Sequence, residues 1–506
     1  MPDSPFDDPR VRLIDPTRSG DAAAALRALD RFRVVVDIGP MPPVAASAAA
    51  VAAAVAARLF AHVEVVGQVA LPTVNSWHVD NLGDVLPSLA SIRPDPACEP
   101  SAEITLAIGD TGRRADIGAG GGAWTALLAH EPQRLDEAAI AGHGHALGLH
   151  AAAALALNEL MKRVLAPVGF TALPMPPDAA LTWNLVDYHL GDPPGDLQPQ
   201  SIHRPVMFAG CGSVGSTAAG LLAMTSVPGD GVVVDAENLD PERNPFRYPL
   251  LRGGEAGEKT AWAADLLTSA GWRVDQCSDG IREWLRRSPA PGFDGLVLSS
   301  VDDLQARLDV TDILPRDVCS VGVAGLALHL QRERLGDGYA CPYCDFVQAA
   351  PPSTQADVTA QQLGLPVARV LELTTGSRLT AGDLAQCVAA GAITEGKGAT
   401  LRGHRLDDVI ARSYAEVGLG RVPGAAGNPA APSIHLAAPQ VSWIAATLAA
   451  AEVVKYLTGL PGLDRRVDLD LTGLPQGFTR RVAPDDTGRC LCASPHRRGW
   501  MRRMYS

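Results

Sequence analysis

The chain has 506 residues, 47% of them hydrophobic and 20% charged, so it can bury the cores of two to four domains. Acidic residues outnumber basic ones by 56 to 43, and the net charge of −13 argues against a nucleic-acid partner, because phosphate contacts need clustered lysine and arginine. The sequence has no apolar run of about 18 residues and no apolar signal-peptide region at its acidic N-terminus, so we expect a cytoplasmic protein without a membrane partner.

Strands and helices alternate in the N-terminal part of the chain. Hydrophobic patterns predict strands at 33–37, 63–69 and 104–108, an alanine-rich helix between the first two, and a helix at 151–165. This alternation predicts a parallel sheet with crossover helices. A connector at 191–205, rich in proline and glycine, predicts a domain boundary.

A second α/β unit is predicted to begin at Val206. Its four predicted strands are short and apolar and lie at 206–209, 231–235, 295–298 and 319–323. Residues 345–430 are rich in proline, glycine and threonine and are predicted to form an insertion with short helices. A long apolar helix is predicted at 438–460, followed by short strands and a cysteine pair.

The two units share a short internal repeat. Residues 155–162, Leu-Ala-Leu-Asn-Glu-Leu-Met-Lys, resemble residues 448–455, Leu-Ala-Ala-Ala-Glu-Val-Val-Lys. Two ordinary amphipathic helices could carry the same pair of glutamate and lysine three residues apart. Because each segment ends an alanine-rich helix that closes an α/β unit, we favour a duplication of the fold.

A glycine-rich loop opens the second unit. Gly210, Gly212 and Gly215 form a GxGxxG motif that follows a strand and begins a helix, which is the context of a phosphate-binding loop. The glycines permit a tight turn, and the helix N-terminus offers free N–H groups to phosphate. Asp235 ends the next strand, where it can accept hydrogen bonds from ribose hydroxyls. Many dinucleotide-binding proteins share these features, and a tight strand–helix turn is the purely structural alternative.

The segments around and after Asp235 are more specific. They are 233–239 (Val-Val-Asp-Ala-Glu-Asn-Leu), 243–248 (Arg-Asn-Pro-Phe-Arg-Tyr), 257–261 (Gly-Glu-Lys-Thr-Ala) and 299–307 (Ser-Ser-Val-Asp-Asp-Leu-Gln-Ala-Arg). Together with the glycine-rich loop, they resemble the ubiquitin-activating-enzyme superfamily, the ThiF/MoeB/HesA adenylyltransferases. The resemblance covers residues 205–345 and 430–505, and residues 30–170 show a weaker resemblance to the same family.

The resemblance implies ATP-dependent adenylation and gives each motif residue a role. Asp235 would bind ribose, Glu237 would lie beside the metal and the nucleotide, Asn244 and Arg247 would hold the triphosphate, Lys259 would contact phosphate or ribose, and Asp302 would bind Mg²⁺. Asp302 is preferred to Asp303 because Arg307 follows it by five positions, as in the family motif. For each single residue, a surface salt bridge is the structural alternative.

The sequence departs from the family pattern in three places. One residue is inserted between Asp235 and Asn244, so Arg243 competes with Arg247 for one position. Glu237 replaces an aspartate, and Asp303 replaces an asparagine.

The chemistry of adenylation suits these residue types. Transfer of AMP to a carboxylate builds up negative charge on the α-phosphate and on the departing pyrophosphate. Mg²⁺ held by a carboxylate stabilises that charge, together with arginine and lysine side chains. The accepting carboxylate is already ionised at neutral pH, so the reaction needs no general base.

Four cysteines form a second strong pattern. Cys341 and Cys344 make a CxxC pair, and Cys490 and Cys492 make a distant CxC pair, which together suit a tetrahedral structural zinc. Family members carry CxxC twice, so His496 competes for the fourth ligand position. A redox CxxC or two unrelated pairs are the alternatives. The odd total of nine cysteines favours a reducing compartment over a disulfide framework.

Cys387 is the candidate nucleophile. It lies in the inserted region, in a predicted helix that begins at Thr380 with Asp383 three residues later, the pattern of a capping box. The resemblance implies that a thioester-forming cysteine, where a family member has one, lies in this segment. A structural cysteine is the alternative, and Cys98, in a proline-rich loop, is the next candidate.

The expected fold class is α/β, with two Rossmann-like halves of the ThiF type that form a pseudo-dimer. The predicted parts are an inactive half at 1–195, an active nucleotide-binding half at 200–345, an inserted region at 346–430, and a closing helix with a zinc-pinned C-terminal tail at 431–506. In the family, the inactive half lends an arginine to the nucleotide site. Arg10, Arg12 and Arg18 are the candidates here.

The function that the sequence favours is activation of a ubiquitin-like protein with a C-terminal glycine. The steps would be ATP-dependent adenylation, thioester formation and transfer to a conjugating enzyme, with ATP, Mg²⁺ and Zn²⁺ as the implied cofactors and a homodimer as one option. Bacterial ubiquitin-like conjugation, in antiviral defence, is an analogy for the setting. The alternatives are adenylation of a sulfur-carrier protein or small peptide without a thioester, a nicotinamide-dependent oxidoreductase, and a scaffold without activity.

Overall fold

The computed structural model describes most of the chain. The described residues are 10, 22–94, 98–170, 172–195, 197, 200, 202–241, 244–288, 291–335, 338–341, 343–344, 355–393, 395–398, 401–406, 438–463, 465–485, 487–488 and 490–505. They form two large, parallel-rich sheets with helices packed on them. We call 22–195 the N-terminal half and 202–505 the C-terminal half.

The strands are numbered in chain order. They are β1 Phe32–Ile38, β2 His62–Val66, β3 Ala102–Ile108, β4 Ile117–Gly121, β5 Thr125–Ala129, β6 Ala180–Asn184, β7 Val206–Ala209, β8 Asp230–Val234, β9 Asn238–Leu239, β10 Gly257–Glu258, β11 Arg273–Cys277, β12 Phe293–Ser299, β13 Pro315–Ala324, β14 Ala327–Glu333, β15 Arg466–Asp470 and β16 Thr479–Arg480.

The α-helices are numbered in the same way. They are α1 Ala22–Arg31, α2 Pro43–Leu59, α3 Val85–Ser88, α4 Glu137–His143, α5 Leu147–Leu165, α6 Ser213–Ala223, α7 Asn244–Arg247, α8 Lys259–Ser269, α9 Ile281–Arg287, α10 Leu304–Asp312, α11 Gln355–Leu363, α12 Val367–Thr374, α13 Ala381–Ala389, α14 Glu395–Gly398, α15 Pro439–Leu457 and α16 Pro495–Tyr505. None of the helices in the described ranges combines the length and apolar character of a membrane span.

The first sheet has the strand order β2-β1-β3-β4-β5-β6. Strands β1 to β4 are parallel, and β5 and β6 pair antiparallel to their neighbours. Val34 and Val36 of β1 are fully buried, as expected for a central strand with helices on the sheet. The second predicted strand is shorter than expected. It ends at Val66 because Gly67 takes a φ of 111°, which breaks the extended backbone.

The second sheet has the strand order β11-β8-β7-β12-β13-β14-β15-β16. Strands β11, β8, β7, β12 and β13 are parallel, and the later pairs are antiparallel. The run β8-β7-β12-β13-β14-β15 repeats the order and the directions of the whole first sheet. In addition, α5 lies between β5 and β6 in the chain, and α15 lies between the equivalent strands β14 and β15. The two halves therefore share one topology.

The two repeat-bearing helices lie at the centre of the molecule. Helix α15 packs against both α5 and α6, and α5 packs against α2. Their many alanines allow close approach, and every residue of α15 is buried. The repeated residues form two buried ion pairs, Glu159 with Lys162 and Glu452 with Lys455.

Each repeated lysine also reaches into the other half. Lys162 donates to the carbonyl oxygen of Thr472 at 3.4 Å, and Lys455 donates to the carbonyl oxygen of Val186 at 2.8 Å. A buried polar seam, contributed by both copies of the repeat, thus links the halves.

In the part that the structure describes, the predicted insertion contains four short helices, α11 to α14. Leu363, Leu373, Leu384 and Cys387 belong to a small apolar core of their own, separate from the cores under the two sheets. Parts of the predicted 346–430 segment lie outside the described residues, notably 407–430.

Candidate functional site

The predicted nucleotide motifs meet at one edge of the second sheet. The glycine-rich loop follows β7, Asp235 follows β8 and Asp302 lies just after β12, and these three strands are parallel neighbours. Strand β8, which follows β7 in the chain, lies on one side of β7, and the later strand β12 lies on its other side. A crevice at such a reversal of strand order, outside the carboxyl ends of the strands, is where open α/β sheets bind ligands.

The glycine-rich loop has the geometry of a phosphate loop. Gly210 adopts a φ of 92°, and its amide donates to the carbonyl oxygen of Val234 at 2.9 Å. A Cβ on Gly215 would lie 2.1 Å from the carbonyl oxygen of Gly210, so only glycine fits there. A Cβ on Gly212 would meet no atom within 4 Å. The loop is closed on its inner side and open at Gly212, where α6 begins with free N–H groups.

Asp235 ties this loop to the end of β8. Its Oδ2 accepts from the amide of Cys211 at 2.6 Å, and its Oδ1 accepts from the amide of Glu237 at 2.8 Å. Partial burial raises the pKa of Asp235, while the bond from Cys211 and the charge of Lys259 oppose that shift. Each carboxylate oxygen keeps a second lone pair, so the residue remains suited to accept from ribose hydroxyls.

Lys259 is the first residue of α8 and is held by two neighbours. Its ammonium donates to Glu237, whose side chain is exposed, and it lies beside the buried hydroxyl of Tyr248. Burial alone would lower the pKa of Lys259, but Tyr248, Glu237 and Asp235 outweigh burial and raise it. The lysine is therefore a fixed positive charge. Tyr248 was not predicted as a site residue, although it directly follows Arg247 in the motif.

A short loop carries Asn244 and Arg247. The two-stranded ribbon of β9 and β10 closes this loop at its base. The side-chain oxygen of Asn244 accepts from the amide of Asp240 at 2.8 Å and so shapes the turn. Arg243, the alternative to Arg247 for the same position of the family motif, lies outside the described residues.

The guanidinium of Arg247 has no hydrogen-bond partner among the described residues. Its Nε is shielded from solvent and unpaired. Buried donors are normally paired, so an unpaired one points to an external acceptor such as an anion. Burial raises the pKa of Tyr248, and the positive charges of Lys259 and Arg247 both oppose that shift. The two charges therefore lie near this hydroxyl and near one another.

The structure separates the two aspartates that follow β12. Asp303 caps α10, because its Oδ1 accepts from the amide of Ala306 at 2.9 Å. Asp302 is exposed and makes no hydrogen bond to the described part of the chain. Its carboxylate oxygens are ligands that Mg²⁺ prefers. Burial lowers the pKa of Arg307, and the charges of Asp302 and Asp303 act against that shift.

The four predicted zinc ligands come together. Their sulfur atoms all lie within 4.8 Å of one another, in the set Cys341, Cys344, Cys490 and Cys492. Neighbouring Sγ–Sγ distances run from 3.2 to 3.8 Å, near the roughly 3.8 Å that four sulfurs at about 2.3 Å from a tetrahedral zinc would show. His496 is not part of the cluster in the described residues. The donor set fits structural zinc.

Cys387 is placed away from solvent. It lies in α13, whose predicted Thr380–Asp383 capping box is present. The side chain is fully buried in the core of the insertion, and burial raises the pKa of its thiol to about 11. In this arrangement the thiol is neither exposed nor ionised at neutral pH. Cys98, by contrast, is exposed.

Of the three N-terminal arginines expected as candidates for the nucleotide site, the structure describes one. Arg10 is buried and pairs with Asp30 at 2.6 Å, while Arg12 and Arg18 lie outside the described residues. An arginine that does cross between the halves in the described part of the chain is Arg58, which hydrogen-bonds the carbonyl oxygen of Pro245 at 2.7 Å. An isolated arginine near the end of an alanine-rich helix was the only sequence signal for it.

Comparisons with known proteins add little to this site. No model of a known protein family matches the chain, and no curated protein matches it. Among solved structures, E. coli MccB aligns at 12% identity over 58% of this chain and 65% of its own, with a TM-score of 0.34. MccB with ATP aligns at 12% identity over 57% and 66%, with a TM-score of 0.32.

A third structure is the microcin C7 biosynthetic enzyme MccB in complex with N-formylated MccA. It aligns at 13% identity over 57% of this chain and 67% of its own, with a TM-score of 0.32. The alignment covers less than two thirds of the first MccB structure. The function proposed below therefore depends on the site residues of this chain.

Proposed function

We propose that this protein uses ATP to adenylate the C-terminal carboxylate of a partner polypeptide. The observation that carries the proposal is the unpaired, shielded Nε of Arg247, in a chain whose glycine-rich loop has the geometry of a phosphate loop. Lys259 adds a fixed positive charge, and Asp302 adds an unengaged carboxylate at the same sheet edge. A nicotinamide-dependent oxidoreductase would use the loop and Asp235 but would leave Arg247 and Asp302 without a role.

The proposed reaction would use these residues as follows. An oxygen of the partner carboxylate attacks the α-phosphorus of ATP, and the bond from that phosphorus to the bridging oxygen breaks. Pyrophosphate leaves with the bonding electron pair. The free amides at Gly212 and α6 and the guanidinium of Arg247 are suited to the negative charge on the phosphates. Mg²⁺, when bound at Asp302, would supply further charge compensation.

The partner we favour is a ubiquitin-like protein with a C-terminal glycine, as the sequence resemblance implies. Thioester formation on Cys387 and transfer to a conjugating enzyme are later steps of the same proposal. Because the thiol of Cys387 is buried, the helical insertion must rearrange before that step. A sulfur-carrier protein or a small peptide would require adenylation only.

The shared topology of the halves supports a pseudo-dimer that arose by duplication. The C-terminal half would bind the nucleotide, and the N-terminal half would support it. Zinc at the four cysteines would fasten α16 and the chain before it to the second sheet, and would take no part in the reaction.

The test is ATP–pyrophosphate exchange with the full-length protein. Small proteins that end in glycine and are encoded beside this gene are the first partners to add. We expect exchange that depends on both Mg²⁺ and the partner. Hydride transfer to NAD, or the absence of Mg-ATP binding, would contradict the proposal.

A further inference from the structure

One buried arginine joins the phosphate-binding loop of the C-terminal half to the N-terminal half. Arg58 lies near the end of α2 and has no exposed surface. Its Nε donates to the carbonyl oxygen of Pro245 at 2.7 Å, and its Nη2 donates to the carbonyl oxygen of Leu251. A third bond goes to Ala54 in its own helix. The two carbonyls across the interface lie on either side of Arg247.

The loop has little capacity to hold its shape alone. Helix α7 has four residues, which is too short to be stable without tertiary contacts. The backbone of the loop also touches the N-terminal half at Gly253, where a Cβ would lie 2.6 Å from Ile92. Its position therefore depends on the surface presented by the N-terminal half.

The bonds from Arg58 are of the strong, charge-assisted kind. Burial lowers the pKa of Arg58 to about 9, and the charge of Glu255 opposes that shift, so the guanidinium stays protonated at neutral pH. A buried cation must be matched by acceptors. Here three backbone carbonyls supply the match, two of them from the loop.

We propose that Arg58 is a positioning residue that clamps residues 245–251 and thereby sets Arg247 where the nucleotide phosphates bind. This inference rests on the proposed function. Arg58 would not touch the nucleotide. It would act through the backbone, so that the half without a phosphate loop controls the phosphate affinity of the half that has one.

Calorimetric titration of the full-length protein with Mg-ATP and with AMP tests this role. Arg58→Met keeps the length of the side chain and removes its donors. We expect Mg-ATP affinity to fall about tenfold, as when only about one tenth of the molecules hold the competent loop conformation. AMP affinity should change less than about twofold, because AMP lacks the outer phosphates.

Two further variants define the outcome. Arg10→Met is the matched control, because Arg10 is equally buried and bonds Asp30 and the carbonyl oxygen of Leu59, both within the N-terminal half. Arg58→Lys keeps the charge with a single donor group and carries the test if Arg58→Met does not fold. An intermediate, ATP-selective loss in Arg58→Lys supports the role.

Three outcomes overturn the inference. They are unchanged Mg-ATP affinity in a folded Arg58 variant, equal losses for AMP and ATP, and an ATP-selective loss in Arg10→Met. Wild-type protein that binds no Mg-ATP would overturn the proposed function as well, which distinguishes the two failures. Amide hydrogen exchange gives a ligand-free readout. In Arg58→Met, exchange should accelerate at the amides of residues 246–248 and 250–251, since Pro245 and Pro249 have no N–H, and stay unchanged at 210–216.

Discussion

The two sheet edges share one topology but differ in what they can bind. In the C-terminal half, the loop after β7 is open at Gly212, and α6 starts with N–H groups free. In the N-terminal half, a Cβ on Gly39 would lie 2.3 Å from the carbonyl oxygen of Asp110, so the crevice after β1 is filled by backbone. Helix α2 begins at Pro43 after Pro42, which removes amide donors from its N-terminus.

The residue that follows the strand next to the loop-bearing strand differs as well. Asp235 follows β8, whereas Gly67 follows β2, the matching strand of the first sheet. The comparison teaches that topology alone does not make a nucleotide site. Loop clearance, free amides and a strand-end carboxylate must coincide, and they do so in one half of this molecule.

The largest effect is expected at the strand end that would hold the metal. Asp302→Asn should lower ATP–pyrophosphate exchange roughly 100- to 1,000-fold, since a ligand for the charge-compensating cation is lost. Asp110→Asn, beyond the matching strand β3, should leave exchange unchanged. Asp303→Asn keeps a side-chain oxygen that can cap α10, because asparagine and aspartate are about equally good N-caps, and should retain both stability and activity. Equal damage from Asp110→Asn and Asp302→Asn would break the distinction between the two edges.

Zinc should be a property of the C-terminal half alone. Purified protein is expected to carry one zinc ion per chain, and Cys341→Ser should lose it. The melting temperature should fall by about 5–10 °C, because a structural metal contributes folding free energy. Cys98→Ser, at an exposed cysteine outside the cluster, is the control. Metal analysis that finds zinc retained in Cys341→Ser would remove that cysteine from the site.

The repeated ion pairs allow the halves to be compared by stability. Glu452 accepts from Lys455, from Arg332 at 3.0 Å and from the hydroxyl of Tyr188 at 2.7 Å. Glu159 accepts from Lys162 and from one backbone amide at 2.7 Å. Glu452→Gln should therefore cost about 3–5 kcal/mol of unfolding free energy, and Glu159→Gln roughly 1–3 kcal/mol. Denaturant unfolding measures both.

The fall of the unfolding free energy at acid pH gives a second test of Glu452. Burial alone would raise the pKa of Glu452, but Lys455 and Arg332 lower it to about 2. The unfolded carboxyl titrates at about 4.3, so the stabilisation is complete above that pH and is lost as pH falls towards 2. Glu452→Gln should flatten the stability curve in this window. In the unfolding experiment, equal losses of unfolding free energy in Glu452→Gln and Glu159→Gln would show that the two halves contribute equally to the buried polar seam.

A smaller effect is expected at the open glycine. Gly212→Ala adds a methyl group where the free protein has space but a bound phosphate would approach. Mg-ATP affinity should drop about thirtyfold, corresponding to an overpacking cost of about 2 kcal/mol, with an unchanged melting temperature. Gly142→Ala, at another uncrowded glycine in the N-terminal half, is the control. An unaffected Gly212→Ala protein would mean that phosphate binds elsewhere.

Much of this comparison could be predicted from local sequence. The alternation of elements predicted three strands of the first sheet (β1 to β3) and four of the second (β7, β8, β12 and β13), but it missed β4, β5, β6, β11 and β14. The repeat at 155–162 and 448–455 marked the helices that form the seam. The Cys341–Cys344 and Cys490–Cys492 pairs meet as predicted, because cysteine spacing constrains a metal site directly.

Long-range contacts could not be predicted in this way. Arg58 reaches Pro245 and Leu251 through the packing of the two halves, and no local pattern around position 58 encodes those partners. Tyr248 acquires its contact with Lys259 only when β10 brings α8 back to the loop. The burial of Cys387 likewise depends on how α11 to α14 pack, which their separate patterns do not specify.

The last difference between the halves is the insertion. The connection from β5 to α5 is short and carries α4, whereas the connection from β14 to α15 carries α11 to α14 and Cys387. If this cysteine accepts the adenylated partner, Cys387→Ala should keep pyrophosphate exchange within about twofold and lose the thiol-sensitive covalent adduct, because a thiol takes the acyl group only after adenylation is complete.

The pH dependence of adduct formation tests whether Cys387 reacts in its buried position. Because burial raises the pKa of the thiol to about 11, the rate should then rise about tenfold per pH unit between pH 7 and 10. A rate that levels off above about pH 8.5, the pKa of a free thiol, is expected if the insertion first opens and exposes the cysteine, as proposed above for this step. Cys98→Ala is the control, and an adduct that survives in Cys387→Ala and is lost in Cys98→Ala would transfer the role to the exposed cysteine.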